Sequence, residues 1–212
     1  LMSIGTPRLT RSSQTVKRGL DVLVAGGALL CMLPVLLAVA IAIKLDSRGP
    51  ILFRQQRAGR GRQTFSLLKF RSMYVGADER KAELVSENDL ADGVMFKIHA
   101  DPRVTRVGRI LRRYSLDELP QLWNIVRGEM SLVGPRPLIL PETDALAEDW
   151  HLRRLELRPG LTGPWQITGR SQTPFHEMVR MDYQYVAGWS LARDLEILLA
   201  TLPVVLSGRG AY

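Results

Sequence analysis

From Val22 to Ile43 the chain carries no charged residue, and this apolar run is long enough at helical rise to reach across a bilayer. Lys17 and Arg18 stand before it, Lys44 and Arg48 after it, and Pro34 falls near its centre. Proline removes a helical hydrogen bond and crowds the preceding turn, while basic flanks are drawn to the cytoplasmic face. The pattern therefore predicts a helix over 17–48 that is broken at Pro34 and returns to the side from which it started. A signal peptide would also fit the small-residue step Ala38-Val39-Ala40, but the run is long for one. A straight span is the simpler alternative and leaves the two basic ends on opposite faces. Cys31, inside the run, reads as a buried small hydrophobe.

Outside the run the period changes. Residues 1–16 are polar with no apolar period and read as a flexible tail. Ile51–Arg57 and Thr64–Phe70 flank a basic, glycine-containing turn at 58–63, which predicts a β-hairpin. Helical spacing follows over about 75–88, 104–114, 117–129 and 142–156, with Gly and Pro between. Thr173-Pro174 supplies an N-cap and first-turn pair for a helix to about 187. A last helix over about 191–206 holds the apolar stretch Ile197–Leu206, too short to span a membrane and suited to the core or the bilayer surface. The chain is thus expected to be α+β and predominantly helical, with a small β-hairpin and amphipathic interfacial helices.

Composition narrows the partners. A net charge of +8 over 212 residues favours polyanions: nucleic acid, nucleotide phosphates or anionic headgroups. One cysteine excludes an internal disulfide, and three histidines without zinc-ligand spacing give no case for structural zinc.

The densest candidate chemistry is the segment from Arg112 to Asn124, which contains Ser115, Asp117, Glu118 and Pro120. With either Ser115 or Asp117 as N-cap, Asp117 and Glu118 come to a helix N-terminus, where free N–H groups favour ionised carboxylates and bound phosphate alike. A carboxylate pair is also hard oxygen ligation suited to Mg²⁺. By itself such a pair is more often a stabilised first turn than a site. Downstream, Gly134-Pro135-Arg136-Pro137 stiffens the backbone around Arg136 and presents its guanidinium as a phosphate fork, with Gly134 allowing close approach of a ligand. Lys69 and Arg71 form a second basic element at the end of the hairpin, and Arg158 opens a Gly- and Pro-rich loop through Ile167 suited to phosphate or uridine. Asp182, Tyr183 and Tyr185 fall in a helix, where the tyrosines read as core with satisfied hydroxyls.

Taken together, these segments resemble the bacterial sugar transferase family, the polyprenyl-phosphate hexose-1-phosphate or monotopic phosphoglycosyl transferases. The resemblance runs from Lys17 to Tyr212. It rests on the Lys-Arg-Gly-Leu-Asp start at 17–21, Lys69–Met73, Ser115–Asn124, Met130–Pro137, Arg158–Gly163 and the ending Gly210-Ala211-Tyr212. It implies a monotopic protein of the bacterial inner membrane: a re-entrant helix at 17–48 and a catalytic domain at 49–212 facing the cytoplasm. It further implies a UDP-hexose donor, galactose or glucose, with undecaprenyl phosphate as acceptor, in exopolysaccharide or capsule synthesis. Asp117 matches the nucleophile that forms an aspartyl phosphosugar and releases UMP. Glu118 matches its partner at the Mg²⁺ site, so both carboxylates are candidate metal ligands. Arg136 matches the arginine of the Pro-Arg-Pro motif, Lys69 and Arg71 the basic motif, and Arg158 joins them as a phosphate contact. Large members carry a multi-helix membrane domain ahead of this segment, so the small form is expected. Leu33-Pro34 replaces the frequent Ser-Pro, and Glu129 a frequent Asp. The bilayer is an expected partner, nucleic acid is not, and a homo-oligomer is compatible. Two rivals stand: direct transfer with the dyad as metal ligands only, and a non-catalytic basic membrane-surface module binding nucleic acid or anionic lipid.

Overall fold

A computed structural model describes residues 11–80, 84, 98, 101–146, 148–168 and 173–207. Half of the helix expected over 75–88, residues 1–10 of the polar tail and the Gly210-Ala211-Tyr212 ending lie outside them.

The apolar run forms one helix, α1 (Arg11–Asp46), which starts within the expected tail and continues through Pro34. Among the described residues it is the one helix long and apolar enough to cross a membrane, with a mean hydropathy of 2.6 in its most apolar window. Both of its halves are built into the same body. Ala25 is buried with Phe65, Leu67, Leu122, Ile125 and Tyr185, whereas Val39 and Ile43 are buried with Phe70 and Leu111. Between them Leu30, Leu33 and Leu37 are 77%, 61% and 63% exposed. Cys31 shares that exposed middle, contrary to expectation, because none of the described elements packs against the centre of the run.

The hairpin matches its pattern. β1 (Leu52–Ala58) and β2 (Thr64–Phe70) pair antiparallel from Leu52 opposite Phe70 to Ala58 opposite Thr64, and Gly61 turns the chain with a φ of 65°. Then α2 (Arg106–Arg113) begins on Thr105, whose hydroxyl accepts from the Gly108 N–H. Next comes α3 (Gln121–Arg127), closed by Gly128 at a φ of 86°.

Two segments read as loops are ordered as β3 (Ser131–Val133) and β4 (Gly160–Thr162), a short parallel pair. Gly134 lies beside Gly160 there, and a Cβ on Gly134 would come within 2.4 Å of the Arg158 carbonyl. Its missing side chain therefore serves backbone packing, not the approach of a ligand.

The single helix expected over 142–156 is divided. α4 (Leu140–Asp144), α5 (Asp149–Leu152) and a 3-10 turn at Arg153–Glu156 take its place. The short α6 (Pro164–Thr168) follows β4. Pro174, not Thr173, occupies the N-cap of α7 (Phe175–Ala187), and α8 (Leu191–Ser207) ends the described chain. Leu138, Trp165, Phe175, Met178 and Val179 form a second core beneath these helices.

Candidate active site

Two elements meet at the dyad. Ser115, in the left-handed conformation with φ 55°, ends the α2 segment and turns the chain into a 3-10 turn at Leu116–Glu118. Pro120 then stands as the N-cap of α3. Neither capping register expected from sequence is used: the carboxylates ride on the turn before the helix, and Pro120 sits where an N–H has no helical acceptor anyway.

Within this turn the two acids differ. Asp117 is buried, 7% exposed. Glu118 reaches outward and accepts from Lys69 Nζ at 2.6 Å. Burial pushes the Asp117 carboxyl above the usual carboxylate range; Lys69 opposes that shift, Glu118 adds to it, and Arg112 opposes it again. The net direction is upward: burial outweighs the two cations, which hold the shift back and so favour the ionised form that a carboxylate nucleophile requires. Arg112 has a buried Nη1 with no hydrogen-bond partner among the described residues.

Arg57 was not read from the sequence as a site residue. Its register partner is the buried Phe65, so it occupies the core-facing side of the hairpin where an apolar residue would be usual. It donates to the Pro137 carbonyl at 3.0 Å and to Gln55 Oε1 at 2.5 Å, with Glu142 at 3.8 Å. Burial lowers its pKa to about 10, Arg136 lowers it further, and Glu142 and Glu118 counteract them. Arg57 thus ties the end of β1 to the Pro-Arg-Pro loop. An arginine at a buried-face position of a hairpin is the signal that could have found it.

Arg136 is held from three sides. Its guanidinium lies 4.4 Å from the centre of the Trp165 ring. Its N–H donates to Asp182 Oδ2 at 3.3 Å, and its carbonyl accepts from Arg154 Nη2 at 2.7 Å. Arg154 and Asp182 are themselves a fully buried ion pair at 2.5 Å. Burial raises the Asp182 pKa to about 6 even with Arg154 pulling it down. Arg136 keeps a buried Nε without a partner among the described residues, so the loop presents an unspent donor.

Two expected phosphate contacts are placed elsewhere. The Arg71 guanidinium is buried against the end of α1, donating to Arg48 O at 2.8 Å, Ser47 O at 2.7 Å and Ser47 Oγ at 2.9 Å. It caps a helix C-terminus, where cations are favoured. Arg158 donates through Nε to Gly128 O at 2.8 Å, and the charges acting on it are Arg18, Arg60 and Asp21, none of which acts on Asp117.

The metal question rests on donor chemistry. Among the described residues no cluster of three or more His, Cys, Asp or Glu exists. Mg²⁺ is commonly held by one or two carboxylates plus substrate phosphate oxygens, so the Asp117–Glu118 pair fits an ion that arrives with a diphosphate.

Comparison with known proteins identifies what the chain is similar to. The family model described as bacterial sugar transferase matches residues 12–208. An exopolysaccharide production protein, ExoY, of Sinorhizobium fredii is 44% identical over 201 residues, covering 92% of this chain and 88% of that protein. A UDP-glucose:undecaprenyl-phosphate glucose-1-phosphate transferase of Caulobacter vibrioides is 44% identical over 206 residues, covering 92% and 72%. An uncharacterized sugar transferase of Haemophilus influenzae is 42% identical over 206 residues; there the match covers 95% of this chain and only 43% of the relative.

Proposed function

The chain belongs to the bacterial sugar transferase family, and on that premise we propose that it transfers galactose- or glucose-1-phosphate from a UDP-hexose to undecaprenyl phosphate, releasing UMP. The observation that carries this reading is the buried Asp117 carboxyl next to Glu118, which is itself paired with Lys69, in the field of Lys69 and Arg112. An Asp117 oxygen attacks the β-phosphorus of the donor, the bond from that phosphorus to the bridging oxygen breaks, and UMP departs with the electron pair. The aspartyl phosphosugar is then attacked at phosphorus by a phosphate oxygen of the acceptor, which restores the carboxylate. Lys69 and Arg136 stabilise charge on the transferring group, and Arg57 supports Arg136 from behind. Mg²⁺, held by Asp117 and Glu118, would neutralise diphosphate charge.

Membrane attachment follows from α1. Lys17 donates to Val133 O at 3.1 Å and Arg18 to Val126 O at 2.9 Å, while Asp21 accepts from the Leu132 N–H at 3.0 Å. At the other end Asp46 accepts from the Val107 N–H at 3.1 Å. As a straight span, α1 would carry these two polar ends to opposite faces of a hydrocarbon layer about 30 Å thick. That both ends bind one polar body while the apolar middle is exposed supports a re-entrant helix, with the body on the cytoplasmic face of the inner membrane. The exposed leucines of α8 at 195, 199, 202 and 206 suit contact with the bilayer surface. In a Cys31→Ser background, Val16→Cys and Arg48→Cys should label from the same side of sealed vesicles; labelling from opposite sides would sink the re-entrant reading.

The reaction is tested by mixing purified protein, Mg²⁺ and UDP-glucose or UDP-galactose without acceptor. A burst of UMP equal to the enzyme present, with a hexose phosphate added to the protein and both lost in Asp117→Asn, is the expected result. UMP formed only when undecaprenyl phosphate is present would replace the covalent route with direct transfer. No UMP from any UDP-sugar in the presence of acceptor would return the basic binding module.

A further inference from the structure

A second basic site stands apart from the dyad. The start of α1 and the β3–β4 region enclose a cleft lined by Lys17, Arg18, Asp21, Arg60, Ser131 and Arg158. Lys17 is ion-paired with Asp194, which leaves Arg18, Arg60 and Arg158 facing one carboxylate, and Asp21 already accepts from the Leu132 N–H. Lys17 and Arg18 spend donors on the carbonyls that fasten α1 to the body, and Arg158 spends its Nε on Gly128. The Arg60 side chain and the two terminal nitrogens of Arg158 make no hydrogen bond among the described residues. At the floor of the cleft Ser131 is 1% exposed, and its Oγ has no hydrogen-bond partner among the described residues. A buried hydroxyl without a partner beside a crowd of guanidinium groups is the donor set of a phosphate.

The crowding is itself unfavourable for the free protein: burial first, then Arg18 and Arg60, hold Arg158 below its ordinary pKa. An anion in the cleft relieves it. Position selects the source of that anion. Lys17, Arg18 and Asp21 occupy the last turn of α1 before the uncharged run begins at Val22, which sets the cleft at headgroup depth once that run is in the membrane.

We propose that this cleft is a second phosphate site, separate from the Asp117 centre, and that it takes the headgroup phosphate of an anionic membrane lipid. Its occupant ties the start of α1 and the Arg158 loop to the bilayer surface and leaves the reacting phosphates to the dyad. The membrane placement rests on the reading of α1 given above; the phosphate chemistry does not.

Native mass spectrometry of the full chain in detergent micelles separates the possibilities, using phosphatidylglycerol, phosphatidylcholine and inorganic phosphate as probes. Phosphatidylglycerol should be retained in preference to phosphatidylcholine. Arg60→Ala, an exposed turn position, should weaken that retention about fivefold, the effect of one basic residue near an anionic headgroup. Ser131→Ala should weaken it too, with the lipid-free melting temperature of both variants unchanged and UMP release in micelles preserved. Equal retention of the two lipids, or retention unaffected by both substitutions, overturns the proposal. Displacement of phosphatidylglycerol by millimolar inorganic phosphate overturns the lipid assignment in favour of a free-phosphate site. Loss of UMP release in Arg60→Ala with lipid retention intact overturns the separation of the two sites.

Discussion

Asn124 takes the place of a third strand beside Leu68: its Oδ1 accepts from the Leu68 N–H at 3.0 Å while its Nδ2 donates to the Ser66 carbonyl at 2.8 Å. Among the described residues the hairpin sheet has two strands, so the outer edge of β2 would otherwise be without partners. A second donation from Nδ2 to Glu129 Oε2 at 2.6 Å fixes the amide's orientation. Through this one side chain, α3 and its preceding turn are locked to the strand that carries Lys69.

Replacing Asn124 by Leu keeps its volume and orphans the buried Leu68 N–H and Ser66 carbonyl. A loss of about 2–4 kcal/mol is expected from two unsatisfied groups, read as a lowered melting temperature in detergent. Turnover should fall further than the folded fraction does, since Lys69 is no longer held against Glu118.

Lys69→Met removes the largest charge that offsets burial at Asp117. Because the nucleophile must be ionised, activity is lost as pH falls through its pKa, and that pKa rises when the cation is gone. The acid limb of the kcat/KM profile should therefore move to higher pH. An unmoved limb would place Lys69 outside the electrostatics of Asp117.

Arg71→Met and Arg136→Met should separate structure from chemistry. The first leaves the end of α1 uncapped and is expected to cost about 2–3 kcal/mol of stability, with KM for the UDP-sugar unchanged. The second removes a cation from the transferring phosphate and should lower kcat/KM by about 10²–10³ with a modest change in melting temperature.

The Arg154–Asp182 pair offers a stability test with a defined sign. Asp182 has a folded pKa of about 6 against an ordinary 3.8, so its contribution is fully present below the unfolded value and is lost as pH rises through about 6. Asp182→Asn should flatten that pH dependence. Arg154→Met is the damaging single change, about 3–5 kcal/mol at neutral pH, because it leaves Asp182 buried without its cation. Arg154→Met with Asp182→Leu should be far milder in stability and should still impair turnover, since Arg136 loses both backbone anchors.

Local pattern was sufficient for several parts of this protein. The uncharged run made a helix, alternation and a glycine turn made the hairpin in its observed register, and Tyr185 proved buried with its hydroxyl donating to Asp194. Asp117, Glu118 and Lys69, distant in sequence, were legible as a group through the family's motifs, and the structure brings them together. Each of these depends on near neighbours or on motif order, both of which a sequence carries.

Tertiary structure alone decided which cations face the dyad. Arg71 and Lys69 are two residues apart, Lys69 on β2 and Arg71 just past its end, yet one caps α1 and the other pairs with Glu118, because the C-terminal end of α1 meets the end of β2. Arg57 and Arg154 gained their places from partners more than fifteen residues away, and Arg158 was drawn to the mouth of α1 by the pairing of β3 with β4. Apolar periodicity records which face of an element is buried. The direction of a guanidinium is set by the carbonyls and carboxylates that distant elements bring to it, and these come together only when the chain has folded.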